Sequence, residues 1–301
     1  MASKPAKLGG IVPWAGAKRT LAPLIVQELG RHLCYHEPFC GSMAVLLAKP
    51  PVHMEAVNDL HGDLINLARV LQDERRGPKL YRRLRRTFFA EELFEKSADW
   101  MRMVAPCTIA DKPDARRAYH YWVVSWMGRN GVAGTPAYNR NFCARFTYGG
   151  GNPAVRFSNA VACIPAWRRR LRRVAIYRMD AFDYLDRIAD EQGTVIYADP
   201  PYFSKGFLYV HDFDDAAHER LAEALGRFRK TRVVVSYYEH PRLEKLYAGW
   251  TRRSLACPKR LGLAAGRGSR GPSNAPELLL INGPSFAAAD DAPLFAQQGA
   301  S

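Results

Sequence analysis

Several features are missing from this 301-residue chain. No apolar run approaches the roughly 20 residues that cross a bilayer. The opening Met1-Ala2-Ser3-Lys4-Pro5 carries no apolar segment of signal-peptide type. Cysteine is scattered, and Cys34, Cys40, Cys107, Cys143, Cys163 and Cys257 form no C-x-x-C pair. They read as reduced core thiols of a cytoplasmic protein, not as zinc ligands or a disulfide frame. No His/Cys cluster and no carboxylate pair at ligand spacing provides for a metal. There is no Gly-x-Gly-x-x-Gly, which argues against a Rossmann dehydrogenase, and there is no internal repeat. Acids are in deficit: 29 Asp and Glu stand against 44 Lys and Arg, a formal charge of +15. Such an excess favours a polyanionic partner. An arginine-biased proteome is the bland alternative; clustering of the arginines favours nucleic acid.

With 48% hydrophobic residues the chain can bury a real core. Its length suits one large α/β domain, or a core domain with a sizeable insertion. The central stretch is Thr194-Val195-Ile196-Tyr197-Ala198-Asp199-Pro200-Pro201-Tyr202. A β-branched and aromatic run predicts a buried strand. It must stop at Pro200 and Pro201, which lack N–H donors and have fixed φ. A carboxylate, a stiff turn and an aromatic ring are thus presented together at a strand's carboxyl end, where open α/β sheets bind ligands.

Two blocks of strand–helix alternation flank a different middle. In the first, Trp14 and Lys18 bracket a small-residue turn before a helix over Leu21 to Leu29. Residues 33–48 read as a strand, a turn at Gly41-Ser42 and a helix from near Met43. Gly41 allows a ligand to approach the backbone. A second strand over 54–59 ends in Asp59, placed to accept from ribose hydroxyls; alternatively Asp59 or Asp63 caps the helix Leu64 to Leu71. In the second block, strands end at Asp180 and Asp199 and continue at Arg232–Tyr238 and Glu277–Asn282. Helices are expected at Phe182–Ile188, His218–Phe228 and Pro241–Tyr247, with a loop over 258–276.

The middle, 73–173, mixes Arg and Asn with aromatics: Arg82 to Arg86, Arg129-Asn130, Tyr138-Asn139-Arg140-Asn141 and Trp167-Arg168-Arg169-Arg170. Arginines contact phosphates, Arg and Asn reach base edges, and aromatic rings stack on bases. Arg129, Asn130, Arg140, Trp167, Arg168, Arg169 and Arg170 are therefore the candidate DNA-binding residues. A solvated basic helix face is the bland reading, at least as good for Arg82–Arg86.

Five stretches carry a family resemblance, in the family's order: Trp14 to Lys18, Glu37 to Gly41, Asn58-Asp59, Asp180-Ala181-Phe182 and Asp199 to Tyr202. The chain resembles the S-adenosylmethionine-dependent DNA adenine-N6 methyltransferases of the Dam-type (alpha) class, found also in phages and prophages. That resemblance implies a Rossmann-like methyltransferase sheet with helices on both faces. It implies a discontinuous cofactor-binding catalytic domain over 1–72 and 174–284. The insert over 73–173 would be a mostly helical or irregular target-recognition domain. By its small, polar composition the tail over 285–301 is expected to be disordered. The resemblance implies that Trp14 and Lys18 hold the methionine end of S-adenosylmethionine, with Phe39 and Gly41 against it. Asp59 would take the ribose hydroxyls, and Asp180 the cofactor's adenine amino group, with Phe182 nearby. Two departures stand out. Met43 occupies the second glycine position of the family's Phe-x-Gly-x-Gly, and Ala17 the second glycine of its Gly-Gly-Lys. Both would narrow the cofactor pocket.

The chemistry agrees. Adenine N6 is a poor nucleophile because its lone pair is delocalised into the ring. Asp199 and the Pro200 carbonyl can accept its hydrogens and aim the lone pair at the methyl group, so catalysis is positioning and electrostatics. Asp199, Pro200, Pro201 and Tyr202 form the expected catalytic set. Tyr202 would stack on an adenine flipped out of double-stranded DNA at a short specific site. A monomer is expected, with no membrane partner, in a bacterial or phage-infected cytoplasm and potentially part of a restriction-modification pair. The alternatives are an N4-cytosine DNA methyltransferase and a catalytically silent DNA-binding relative.

Overall fold

A computed structural model describes residues 8–14, 16–104, 112–129, 141–144, 151–203, 213–255 and 277–287. The expected alternation is present. α1 (Ala22–Leu29) leads to β1 (Cys34–Glu37), α2 (Ala44–Ala48), β2 (Met54–Asn58) and α3 (Gly62–Gln72). Four helices follow: α4 (Arg76–Arg85), α5 (Glu91–Met103), α6 (Ala115–Met127) and α7 (Pro153–Leu171). Then come β3 (Val174–Tyr177), α8 (Ala181–Leu185), β4 (Thr194–Ala198), α9 (Asp215–Gly226), β5 (Arg232–Tyr238), α10 (Arg242–Leu246), β6 (Thr251–Leu255) and β7 (Glu277–Ile281).

The strands form one sheet in the order β3-β2-β1-β4-β5-β7-β6. All neighbours from β3 to β5 pair in parallel, and β7 runs antiparallel between β5 and β6. This is the methyltransferase-type sheet the resemblance implied. The order reverses between β1 and β4, which opens a crevice at the carboxyl ends of the central strands.

Alternate side chains of the strands feed two cores, as the period of two requires. Val195 and Tyr197 of β4, Val234 of β5 and Leu279 and Ile281 of β7 join the core beneath α1 to α7. Ile196, Ala198, Val233, Val235, Leu278 and Leu280 join the one beneath α8 to α10. The result is a sheet between two helical layers. Helices α4 to α7 share the first core with α1 and α3, so in packing terms the 73–173 stretch is continuous with that layer.

Three details differ from expectation. β6, Thr-Arg-Arg-Ser-Leu, is an edge strand with Arg252 exposed on one face and Arg253 turned to the buried Glu28 on the other, a pattern with little apolar signal to read. Residues 285–287 are not loose: Ser285 Oγ and the Phe286 and Ala287 N–H groups donate to the fully buried Glu28 carboxylate. His61, not an aspartate, caps α3, its Nδ1 accepting from Leu64 N at 3.2 Å. The expected loop at 258–276 and the tail from 288 lie outside the described residues. No helix among the described residues is long and apolar enough to cross a membrane.

Candidate active site

The crevice holds a cavity of about 280 Å³, lined by all seven of the expected cofactor residues together with Asp199 and Pro201. Four strand ends build it. β1 ends in Glu37 and runs through Pro38 and Phe39 to Gly41. β2 ends in Asn58, β3 leads to Met179 and Asp180, and β4 to Asp199. Asn58 ties three of these ends together. Its Nδ2 donates to Pro38 O and Met179 O, both at 3.1 Å, and its Oδ1 accepts from Met179 N at 3.0 Å.

Asp59 braces the glycine turn. One oxygen accepts from Gly41 N at 2.8 Å and the other from His61 N at 2.9 Å. Burial raises its pKa despite those bonds. Gly41 has φ of +43°, and a Cβ there would lie 2.9 Å from Trp14 Nε1. Only glycine admits both the backbone and the indole. Trp14 meets the His61 ring edge-on at 5.3 Å on its way past the turn. The segment carrying Trp14 is anchored from the insert: Trp126 Nε1 donates to Ile11 O at 3.1 Å and Trp167 Nε1 to Gly9 O at 2.9 Å.

The far wall is aromatic. Phe182 and Phe213 stack at 6.3 Å, Phe39 meets Phe213 edge-on at 5.8 Å, and the Arg220 guanidinium lies 3.9 Å over Phe182. Asp180 caps α8, accepting from Phe182 N at 2.8 Å. Met43 is fully buried and absent from the lining, so it does not narrow the pocket; Ala17 does line it.

At the acid end, Lys18 Nζ lies 2.8 Å from Asp199 Oδ2 and 3.3 Å from Glu277 Oε1, and donates to Gly16 O at 3.0 Å. The Tyr202 hydroxyl reaches Asp199 Oδ1 at 3.0 Å and also hydrogen-bonds Glu277 Oε1. Burial pushes the Asp199 pKa up to about 6, with the Lys18 charge opposing and the Glu277 charge adding. Asp199 is still a carboxylate at neutral pH. Glu37, buried behind it, is pushed up to about 8, mainly by burial, with the Tyr35 hydroxyl bond opposing.

Several expected roles meet a different geometry. Tyr202 is only 7% exposed. Its ring packs edge-on against Tyr238 at 4.6 Å, with Lys18 Nζ 4.9 Å from its centroid, so as described it offers no face to a base. Trp167 is buried among Trp122 and Trp126 because its indole closes the insert's core. Arg168 Nε donates to Leu71 O at 3.1 Å, at the carboxyl end of α3. Arg170 is held by Glu55, at 2.5 and 2.7 Å, and by Leu46 O at 3.0 Å. These three side chains serve the interior and are withdrawn from the DNA-facing set. Arg129 and Arg169 are exposed. Asn130 and Arg140 lie outside the described residues. Glu277 went unread in the sequence, although an acid opening an otherwise apolar strand was visible there.

Residues 14–256 match the family model for D12 class N6 adenine-specific DNA methyltransferases. The Retron Ec67 DNA adenine methylase of Escherichia coli is 27% identical over 299 residues, covering 91% of this chain and 91% of that protein. Among solved structures, the rRNA methyltransferase aviRa from Streptomyces viridochromogenes overlays 92% of this chain and 87% of its own. The TM-score is 0.36 and the identity 14%.

Proposed function

Since the chain belongs to the D12 class of N6 adenine-specific DNA methyltransferases, we propose which residues move a methyl group from S-adenosylmethionine to adenine N6. The observation that carries the reading is Asp199, a buried carboxylate at the carboxyl end of β4 and in the wall of the cavity. The cavity's chemistry fits the cofactor. Asp59, Asp180 and Asp199 outnumber Lys18, which suits a ligand bearing cationic groups, and Phe39, Phe182 and Phe213 offer ring faces. When bound, S-adenosylmethionine supplies a methyl group activated by its sulfonium.

The chain's own groups do the rest. Asp59, already oriented by Gly41 N and His61 N, accepts from ribose hydroxyls. Asp180, fixed as the cap of α8, turns its second oxygen to the cofactor's adenine amino group, with Phe182 against that base. Trp14 closes over Gly41. Lys18 serves Asp199 before any ligand, given their 2.8 Å contact. Asp199 and the Pro200 carbonyl would accept hydrogen bonds from the two N6 hydrogens of the target base, aiming the nitrogen lone pair at the methyl group, and the one proton that N6 must shed on methylation can pass to the Asp199 carboxylate. Acceptors fixed in a water-poor site before the reaction need no reorganisation during it.

The substrate form we propose is double-stranded DNA at a short specific sequence, with the target adenine flipped out. The support is electrostatic. Lys79, Arg82, Arg83 and Arg86 line one groove with Thr87, Tyr119 and Phe88, and Phe88 is 80% exposed. The Arg83 guanidinium lies 3.5 Å over the Tyr119 ring, which holds it in place. Together with Arg169 and Arg129, this row is our assignment for the phosphate backbone.

The test is Asp199→Asn, which keeps the shape and removes the charge. Transfer of labelled methyl groups to duplex DNA should fall by about a thousandfold or more, while cofactor binding persists. Wild-type rates in that variant would remove Asp199 from the chemistry.

A further inference from the structure

Glu277 is buried, at 5% exposed, and does not line the cavity. A carboxylate in such a place is costly unless paired. Its partners are the two groups that also hold Asp199. Lys18 Nζ stands between the two acids, 2.8 Å from Asp199 Oδ2 and 3.3 Å from Glu277 Oε1. The Tyr202 hydroxyl reaches both, and its single proton can be donated to only one at a time. Topology makes this possible. Because β7 runs antiparallel to β5, its first residue sits opposite Tyr238, at the sheet edge where β4 and β5 end.

We propose that Glu277 is a positioning residue for methyl transfer, sharing Lys18 and the Tyr202 hydroxyl with Asp199 so that Asp199 stays a strong, fixed acceptor for the amino hydrogens. The inference rests on the assignment of Asp199 made above. Two carboxylates facing one ammonium leave a net negative charge. Without Glu277, Lys18 would belong to Asp199 alone. The pair would tighten, the carboxylate would become less basic, and it would accept hydrogen bonds from the base more weakly. With Glu277 in place the opposite holds, in keeping with the raised affinity of Asp199 for a proton. Among the described residues, the other titratable groups near Asp199 are Glu37 at the end of β1, Tyr197 on β4, whose hydroxyl is engaged with Ser236 Oγ at 2.8 Å, and Tyr237 on β5, whose hydroxyl is engaged with His218 Nδ1 at 2.9 Å.

The experiment measures single-turnover methylation of a DNA duplex from pH 4.5 to 8.5 by the full chain and three variants. Glu277→Gln is expected to lower the plateau rate about tenfold, with cofactor and DNA affinities within about twofold of wild type. The acid limb of its profile should move down by about one pH unit, because Asp199 loses the neighbouring charge that made it basic. Tyr202→Phe should move the acid limb the other way, because it removes a hydrogen bond that favours the Asp199 carboxylate. If Glu277→Gln fails to fold, Glu277→Asp replaces it: it keeps the charge but draws it back from Lys18 and Tyr202, and should move the acid limb down by a smaller amount. An unmoved acid limb or a wild-type plateau in the Glu277 variant would overturn the proposal. Asp199→Asn separates the two levels. If it keeps its rate, the assignment of Asp199 fails. If it is dead while Glu277→Gln behaves as wild type, only the role of Glu277 fails.

Discussion

Met43 has φ of 61° and ψ of 31°, the one non-glycine left-handed residue among those described, and its side chain is fully buried. The two facts pull in opposite directions. A left-handed backbone costs a side-chain-bearing residue about 1–2 kcal/mol, while a buried methionine contributes about 2–5 kcal/mol relative to truncation. Met43→Gly is therefore expected to lower Tm by several degrees while leaving cofactor affinity within about twofold, because the side chain lies outside the cavity. Thermal melting and a cofactor titration check it, and a rise in Tm would show that strain outweighs packing. Gly41→Ala should do the reverse of this in kind. Its Cβ would press on Trp14, so cofactor affinity should drop at least about tenfold even where the fold survives; calorimetric titration reads it. At this scale the sequence was legible where chemistry sits in a short run: Asp199 and Pro201, Asp59 and Gly41, Asp180 and Phe182 all meet at one cavity. It was opaque where a role depends on distant partners. Nothing local marks Trp167 as a core residue, because its burial is decided by Trp122, Trp126 and Gly9.

Among the elements, α7 shows why a basic run misleads. Its sequence reads Trp-Arg-Arg-Arg, but a helix turns about 100° per residue and separates neighbours onto different faces. Trp167, Arg168 and Arg170 go inward and Arg169 outward. The inward Arg170 completes a buried cluster with Glu55 and Lys49, the latter 2.5 Å from Glu55. Removing one member leaves a buried charge short of its partner, at a cost of about 3–5 kcal/mol. Arg170→Ala should thus lower Tm by roughly ten degrees without altering the salt dependence of DNA binding. Arg169→Ala should leave Tm alone and flatten that salt slope by about one unit. Melting curves and binding isotherms at several salt concentrations separate the two, and swapped outcomes would reverse the inward and outward assignment. The strands that alternate or run wholly apolar were readable. β6 was not, because an edge strand that carries Arg252 outward and Arg253 toward Glu28 has the composition of a loop.

For the whole molecule, buried titratable groups set the pH window of stability. His36, His120 and His218 are each held down to about 4, chiefly by burial, and for His120 also by the charges of Arg83 and Arg116. Below about pH 6.5 the unfolded chain binds protons at these sites and the folded one does not, so stability falls as pH drops toward 4. Glu37, held at about 8, acts in the other direction. The folded chain keeps its proton while the unfolded one loses it above about 4.5, so stability falls as pH rises through 8. Asp199 adds a smaller loss of the same sign up to about 6. The three histidines outweigh the two acids on the acid side. The cofactor-free protein should melt highest near pH 6.5 and lower on both sides; a Tm that is flat or rising from pH 6.5 to 4.5 would refute this. The order of the chain has a consequence for its synthesis. Lys18 precedes the first helix, Asp199 follows β4, and Glu277 opens the last strand, yet all three meet around one acid. A ribosome delivers them in that order, and the last arrives only after β7 has left the exit tunnel. Every residue that lines the cofactor crevice precedes Glu277 in the chain, but the acid centre closes only once β7 is in place.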